Sequence, residues 1–244
     1  MKALILNSGI GKRMGEYTKE NPKCMTEISS DDTIVSRQLR LLDELGIREV
    51  VMTTGPFEDK LIDYCNSLGL NLDITFVHND LYDKTNYIYS MYMAKDKLDD
   101  DIIMMHGDLV FGKDVLSDVI SNSNSVMTVS STLELPEKDF KAVIQNGKIV
   151  KVGIEFFDNA MAAQPLYKIK RGEFKIWLDS IINFIENGKN NCYAENAFNV
   201  VSNYMNIKPF DVKDRLCGEI DNIEDLEIMK FKLKEEEKSY EKRR

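Results

Sequence analysis

The chain has 244 residues, 43% of them hydrophobic and 30% charged, which suits one globular unit with a sizeable core. A formal net charge of −9 argues against a nucleic-acid-binding surface, which needs a basic excess, while leaving room for a local cationic pocket. Four separated cysteines and two histidines, His78 and His106, give neither a disulfide framework nor zinc-ligand spacing, and no apolar run is long enough for a signal peptide or a membrane span, so buried thiols and a cytoplasmic protein are expected.

The first element is a short buried strand, Ala3-Leu4-Ile5-Leu6, which breaks abruptly at Asn7-Ser8-Gly9. Gly9 and Gly11 let the backbone take positive φ and approach a phosphate, Lys12 and Arg13 add charge beside it, and Pro22 presents Lys23 on a stiff stem. An ordinary tight turn is the structural alternative. The dinucleotide fingerprint fails, because Met14 stands where a third glycine is needed. Ile34, Leu39, Leu42 and Leu45 mark a helix stopped by Gly46; a strand over Glu49–Thr53, a helix over 57–68 and a strand over Leu72–Val77 follow. Between Val77 and Lys95, Tyr82, Tyr87, Tyr89, Tyr92, Met91 and Met93 predict an amphipathic helix that is mostly core. Asp101–Met105 is a fourth strand, running into His106-Gly107-Asp108. Strands alternating with helical segments specify a parallel sheet, and ligands sit beyond the carboxyl ends of such strands. Asp108 should therefore meet the Gly9 loop, where a carboxylate suits Mg²⁺; a cap or turn residue is the alternative.

From Ser125 the pattern changes. Val126–Val129 reads as a strand, and Ala142–Gln145 and Lys148–Val152 as a hairpin around Asn146-Gly147. Helices are expected over Glu173–Glu186 and Ala194–Tyr204, with a strand over Met205–Phe210. In the run from Gly218 to Leu226, Asp221 and Asn222 fit the start of a last helix, whose tail from Lys232 to Arg244 should be solvated and frayed. No linker interrupts the chain, so a single domain over 1–244 is expected, the change of pattern separating a part at about 1–131 from one at about 132–215, with a C-terminal helix over 221–244.

The strand, Gly9-x-Gly11-x-Arg13, Thr18-Lys19 and Pro22-Lys23 together resemble the signature of nucleotidyltransferases that activate sugars and small phosphorylated alcohols. Asn7 and Ser8 stand where that family usually has two alanines. Asn79-Asp80 followed by Thr85-Asn86 and Ser90 resembles the bacterial choline-phosphate cytidylyltransferases of the LicC type, and Glu219-Ile220-Asp221 resembles the run carrying their second metal-binding aspartate. The resemblance implies the nucleotide-diphospho-sugar transferase fold: an α/β, Rossmann-like, mixed but mainly parallel sheet flanked by helices, with a small antiparallel lid. It implies a cytidylyltransferase that joins CMP from CTP to a small phosphate- or phosphonate-bearing acceptor, of the phosphocholine, aminoethylphosphonate or phosphoglutamine type, with release of pyrophosphate, for capsule or cell-surface decoration. On that reading Leu6, Asn7, Ser8, Gly9, Gly11 and Lys12, with Asn86 and Ser90, hold the nucleotide. Arg13 and Lys23 are catalytic, Asp108 and Asp221 hold Mg²⁺ with Mn²⁺ as a substitute, and Glu195, Phe157 and Tyr167 meet the acceptor. Glu195 also fits a first-turn acid of its helix. Neither nucleic acid nor membrane is an expected partner, and monomer and homodimer both stay open. The alternatives are a sugar-1-phosphate nucleotidyltransferase using another nucleoside triphosphate and a non-catalytic nucleotide-binding subunit.

Overall fold

In the computed structural model, which describes residues 1–241, the apolar runs of the first half form the expected parallel strands. β1 (Lys2–Leu6), β2 (Glu49–Thr54) and β3 (Asp73–His78) are connected through α1 (Ile34–Glu44) and α2 (Glu58–Ser67). α3 (Tyr87–Ala94) then leads to β4 (Ile102–His106), which pairs in parallel with the other side of β1. Central β1 is buried at every position after Lys2, which is why it reads as an unbroken apolar run. Thr33 starts α1 with a reciprocal capping box to Ser36, so a helix begins where polar side chains satisfy its free N–H groups.

β5 (Leu109–Phe111), α4 (Lys113–Ser121) and β6 (Val126–Ser130) follow, then the hairpin of β7 (Lys141–Gln145) and β8 (Lys148–Gly153). Asn146 and Gly147 both have positive φ, as the turn chemistry requires. The next element was not foreseen: β9 (Ala160–Ile169) runs antiparallel between β4 and β6, in the middle of the sheet. Pro165 and three alanines hide it in the sequence, since proline removes a ladder donor. The structure accommodates Pro165 where pairing with β6 slips between Met127 and Val129, and Thr128 Oγ1 bridges the gap by donating to Gln164 O at 2.7 Å. α5 (Arg171–Glu186), α6 (Ala194–Val201), β10 (Lys208–Asp211), β11 (Cys217–Glu219) and α7 (Ile223–Glu241) complete the chain.

One nine-stranded sheet thus runs through both halves of the chain, in the order β10-β6-β9-β4-β1-β2-β3, with the hairpin attached through β7 to β9. Apolar clusters fill both faces, and Trp177 of α5 is fully buried in one of them. A third cluster packs α7, through Leu226, Met229 and Leu233, against Met14 of the loop after β1. The side chain that breaks the dinucleotide fingerprint is therefore an anchor for the loop. α7 continues to Glu241; the end of the expected frayed tail, residues 242–244, lies outside the described residues. Cys24, Cys65 and Cys217 are buried free thiols, while Cys192 is partly exposed. Among the described residues, no helix is long and apolar enough to cross a membrane.

Candidate active site

The loop leaves β1 at Leu6 between the ends of β2 and β4. Asn7 N donates to Thr53 O at 3.1 Å, and a Cβ at Gly107 would fall 1.5 Å from Asn7 Oδ1, so only glycine lets that side chain cross β4. Gly11 has φ +68°, and a Cβ there would sit 2.9 Å from Lys23 Cβ; the missing side chain is what lets Lys23 pass the loop. Together the loop, Lys12, Arg13, Lys23, Asp108 and Asp221 line a cavity of about 290 Å³. Ser8 and Ser90 turn away from it: their hydroxyls share a hydrogen bond at 2.7 Å, and Asn79 Nδ2 donates to Ser90 Oγ at 3.0 Å. This buried trio locks α3 to the loop.

Lys23 lies between the two expected metal ligands. Its Nζ donates to Asp108 Oδ2 at 2.5 Å and to Asp221 Oδ1 at 2.9 Å, and Arg13 Nη2 reaches the same Asp221 oxygen at 2.8 Å. Burial alone would pull the Lys23 ammonium down, but the charges of Asp108 and Asp221 outweigh it and hold its pKa above the ordinary value. Asp108, although desolvated, is kept below the usual carboxylate range by Lys23 and His106. Its Oδ1 is buried with no hydrogen-bond partner. Asp221 arrives through β11, which pairs antiparallel with β5, so that Ile220 N donates to Asp108 O at 3.0 Å. The run after it divides its duties. Asn222 Oδ1 accepts from Glu224 N and Asp225 N, Asp225 Oδ2 accepts from Asp221 N and Asn222 N, and the Asp221 carboxylate is left for the site.

A second cavity of about 210 Å³ shares Arg13, Asp108 and Asp221 with the first and continues to Asn86, Tyr87, His106, Lys138, Asp139, Phe140, Ile154, Tyr193 and Glu219. Tyr193 meets Phe140 edge-on at 4.9 Å between ring centroids and Tyr87 at 6.0 Å. Asn86 caps α3 by accepting from Tyr87 N, which puts it at this second cavity. Of the three expected acceptor residues, Glu195 is 1% exposed and accepts hydrogen bonds from the phenols of Tyr87 and Tyr167. Tyr167 is buried in β9 against Trp177, so both residues lie behind the Tyr87 wall. Phe157 is half exposed in the β8–β9 connection, its ring over Lys141 Nζ at 4.2 Å. The residues that do line the cavity include several the sequence did not single out: Tyr87 as a wall, Phe140, Tyr193, Asp139, His106 and Glu219.

His106 Nδ1 donates to Glu219 Oε1 at 2.9 Å, and ligand atoms of His106, Asp108 and Glu219 lie within 4.8 Å of one another, so the cation-holding set can extend past the two aspartates. Burial pushes the imidazolium down, but the hydrogen bond and charge of Glu219 prevail and raise the His106 pKa to about 9. Burial and the Asp108 charge raise Glu219 from 4.5 to about 7. Both groups bind protons more tightly folded than unfolded. The His106 contribution to stability is fully present below its unfolded pKa of about 6.5 and is lost as pH rises through 9, while ionising Glu219 costs stability between 4.5 and 7. Denaturant titrations at pH 6 and pH 9 should show wild-type protein losing on the order of 1–3 kcal/mol more than Glu219→Gln. Equal losses would remove this pair as the source.

Residues 3–135 match the MobA-like NTP transferase domain. The chain is 28% identical to the CTP:phosphoglutamine cytidylyltransferase of Campylobacter jejuni, over 93% of this chain and 98% of that protein. It is 26% identical to the choline-phosphate cytidylyltransferase of Streptococcus pneumoniae, over 97% of this chain and 100% of that one. The solved structure of the CTP:phosphocholine cytidylyltransferase LicC from Streptococcus pneumoniae has a TM-score of 0.78 at 18% identity, covering 95% of this chain and 98% of the other. That of the inositol-1-phosphate CTP transferase from T. maritima has a TM-score of 0.74 at 21% identity, covering 96% of each. The structural likeness carries the mainly parallel sheet. The matched stretch runs over more than half the sequence, from Ala3 through the loop, Lys23 and Asp108 to Leu135, and by that match the chain belongs to the MobA-like NTP transferase family.

Proposed function

We propose that this nucleotidyltransferase is a cytidylyltransferase that moves CMP from CTP to a small phosphorylated or phosphonylated acceptor with a cationic or zwitterionic head group. The observation that carries the reading is the meeting of two unlike cavities at Arg13, Asp108 and Asp221: one walled by a glycine loop and cations, the other by aromatic rings and carboxylates. The names of the relatives support CTP as the donor. In the first cavity the loop amides, Lys12 and Lys23 receive the triphosphate. In the second, Arg13 and Lys138 face the acceptor's anion, while Tyr87, Phe140 and Tyr193, with Glu219 and Asp139, offer π-faces and negative charge to its head group.

The acceptor oxygen is anionic before it attacks the α-phosphorus, so no protein nucleophile is required, and the chain's task is to align the two substrates and spread negative charge. Arg13 and Lys23 both line the first cavity and would turn from the aspartates toward phosphate oxygens as charge builds on the leaving pyrophosphate. Hard oxygen donors and the unpartnered Asp108 Oδ1 fit Mg²⁺, or Mn²⁺ in its place. Held by Asp108 and Asp221, that ion would polarise the phosphoryl oxygens.

The test is to incubate the protein with each nucleoside triphosphate, Mg²⁺ and a panel of phosphocholine, aminoethylphosphonate, phosphoglutamine and sugar 1-phosphates while following pyrophosphate. CTP with a cationic or zwitterionic acceptor should dominate. Preference for a sugar 1-phosphate with another nucleotide would replace the reading, and no pyrophosphate with any pair would make the protein a binding subunit. Tyr193→Ala removes one aromatic wall and should raise the acceptor KM by about tenfold, the equivalent of 1.4 kcal/mol, while the CTP KM stays within about twofold. Equal changes in both constants would move the head group elsewhere.

A further inference from the structure

Lys141 opens β7 and is fully buried, yet its ammonium is bonded to backbone oxygens rather than to a carboxylate. Nζ donates to Pro136 O and, at 3.2 Å, to Asp139 O, and the Phe157 ring covers it at 4.2 Å. Burial holds the ammonium below its ordinary pKa, against the opposing pull of Asp139, Glu155 and Glu137. A desolvated cation is costly, and an apolar side chain would fill the same space without that cost. What an apolar side chain cannot do is grip two carbonyls of one loop at once.

That loop forms a wall of the second cavity. Its start is tied down separately: Ser130 Oγ accepts from Leu133 N at 3.2 Å and donates to Lys213 O at 2.8 Å, while Ser131 N and Oγ both donate to Asp211. Its end carries Lys138, Asp139 and Phe140 into the cavity. The carbonyls that Lys141 grips, those of Pro136 and Asp139, bracket this end.

We infer that Lys141 is a positioning residue for the acceptor: by gripping the Pro136 and Asp139 carbonyls under the Phe157 ring, it holds Lys138, Asp139 and Phe140 in the wall that receives the head group and its phosphate. The inference rests on the acceptor reading of that cavity. It gives Phe157 a part in acceptor capture without contact, as the cover that keeps water from the buried ammonium. Among the described residues the Lys141 ammonium bonds to the Pro136 and Asp139 carbonyls and to none of residues 7–13, so its effect should be confined to one substrate.

Two measurements on the intact protein test it. Amide hydrogen exchange needs no substrate: in Lys141→Met, exchange over residues 136–140 should rise by about tenfold or more, while residues 7–13 keep their wild-type rates. Steady-state kinetics with CTP and the acceptor found in the pyrophosphate assay should then show the acceptor KM raised by about tenfold or more, the CTP KM within about twofold, and recovery to within about threefold in Lys141→Arg, which keeps the charge and the donors. If Lys141→Met does not fold, Phe157→Ala should give the same pattern at about threefold in both readouts. Faster exchange throughout the molecule, parallel rises in both KM values, or a loosened loop with an unchanged acceptor KM would each overturn the inference. Wild-type protein that turns over no acceptor overturns the functional reading and with it the acceptor role, and the exchange data then decide the grip on the loop by themselves.

Discussion

Asp108→Ala is expected to lower kcat by a factor on the order of 10²–10³ while the protein stays folded. The carboxylate sits where both cavities meet, with one oxygen on Lys23 and the other buried without a partner, so its removal takes charge from the site rather than an apolar contact from the core. Asp221→Ala should behave alike, because the start of α7 is capped by Asn222 and Asp225 and does not depend on the Asp221 side chain. Circular dichroism would establish the fold and pyrophosphate release the rate. Either variant retaining more than about a tenth of wild-type kcat would lose its assignment as a metal ligand.

The second large effect is expected at Lys23. Its ammonium spans Asp108 and Asp221 and offsets part of their charge from within. A divalent ion held by Asp108 and Asp221, as proposed, would compete with that ammonium for the same oxygens, and the phosphates of an incoming nucleotide would draw the ammonium away. Lys23→Met should therefore do two opposite things: reduce kcat by a factor on the order of 10² and tighten nucleotide-free binding of Mn²⁺ by about tenfold or more, read by titration of the free-ion paramagnetic resonance signal. In wild-type protein CTP should tighten Mn²⁺ binding, whereas in the variant that coupling should shrink. A variant with reduced kcat but unchanged Mn²⁺ affinity would confine Lys23 to phosphate contacts.

Much of this site is visible in the sequence because it depends on local chemistry. A buried strand ending in Asn7-Ser8-Gly9, Gly11 with Lys12 and Arg13, Pro22 before Lys23, and Asp108 at the end of an apolar strand each state a backbone or charge requirement that few residue types meet. The second cavity does not depend on such local rules. Tyr87 reads as a core aromatic of its own segment, nothing local marks Phe140 or Tyr193, and only the fold brings the three together. Glu195 illustrates the same limit: its place in a helix's first turn is legible, but its burial behind Tyr87 depends on β9, a strand whose alanines and Pro165 carry no β signal. β11 was missed because three residues with a glycine in the middle are too short for a periodicity to appear.

The antiparallel insertion of β9 also sets the order in which the molecule can be assembled. β4 and β6 precede β9 in the chain, so until residues 160–169 arrive β4 has one edge open and β6 has both, its other partner β10 coming later still. Pairing strands this far apart in sequence is slow, and the nascent half is expected to need shelter from chaperones rather than to fold alone. A chain cut after residue 131 should aggregate instead of binding nucleotide. The pair of carboxylates also depends on a distant segment, since Asp221 reaches Asp108 only after β11 has found β5. Until that pairing forms, the Gly9–Arg13 loop and Asp108 stand without the carboxylate proposed to complete the site.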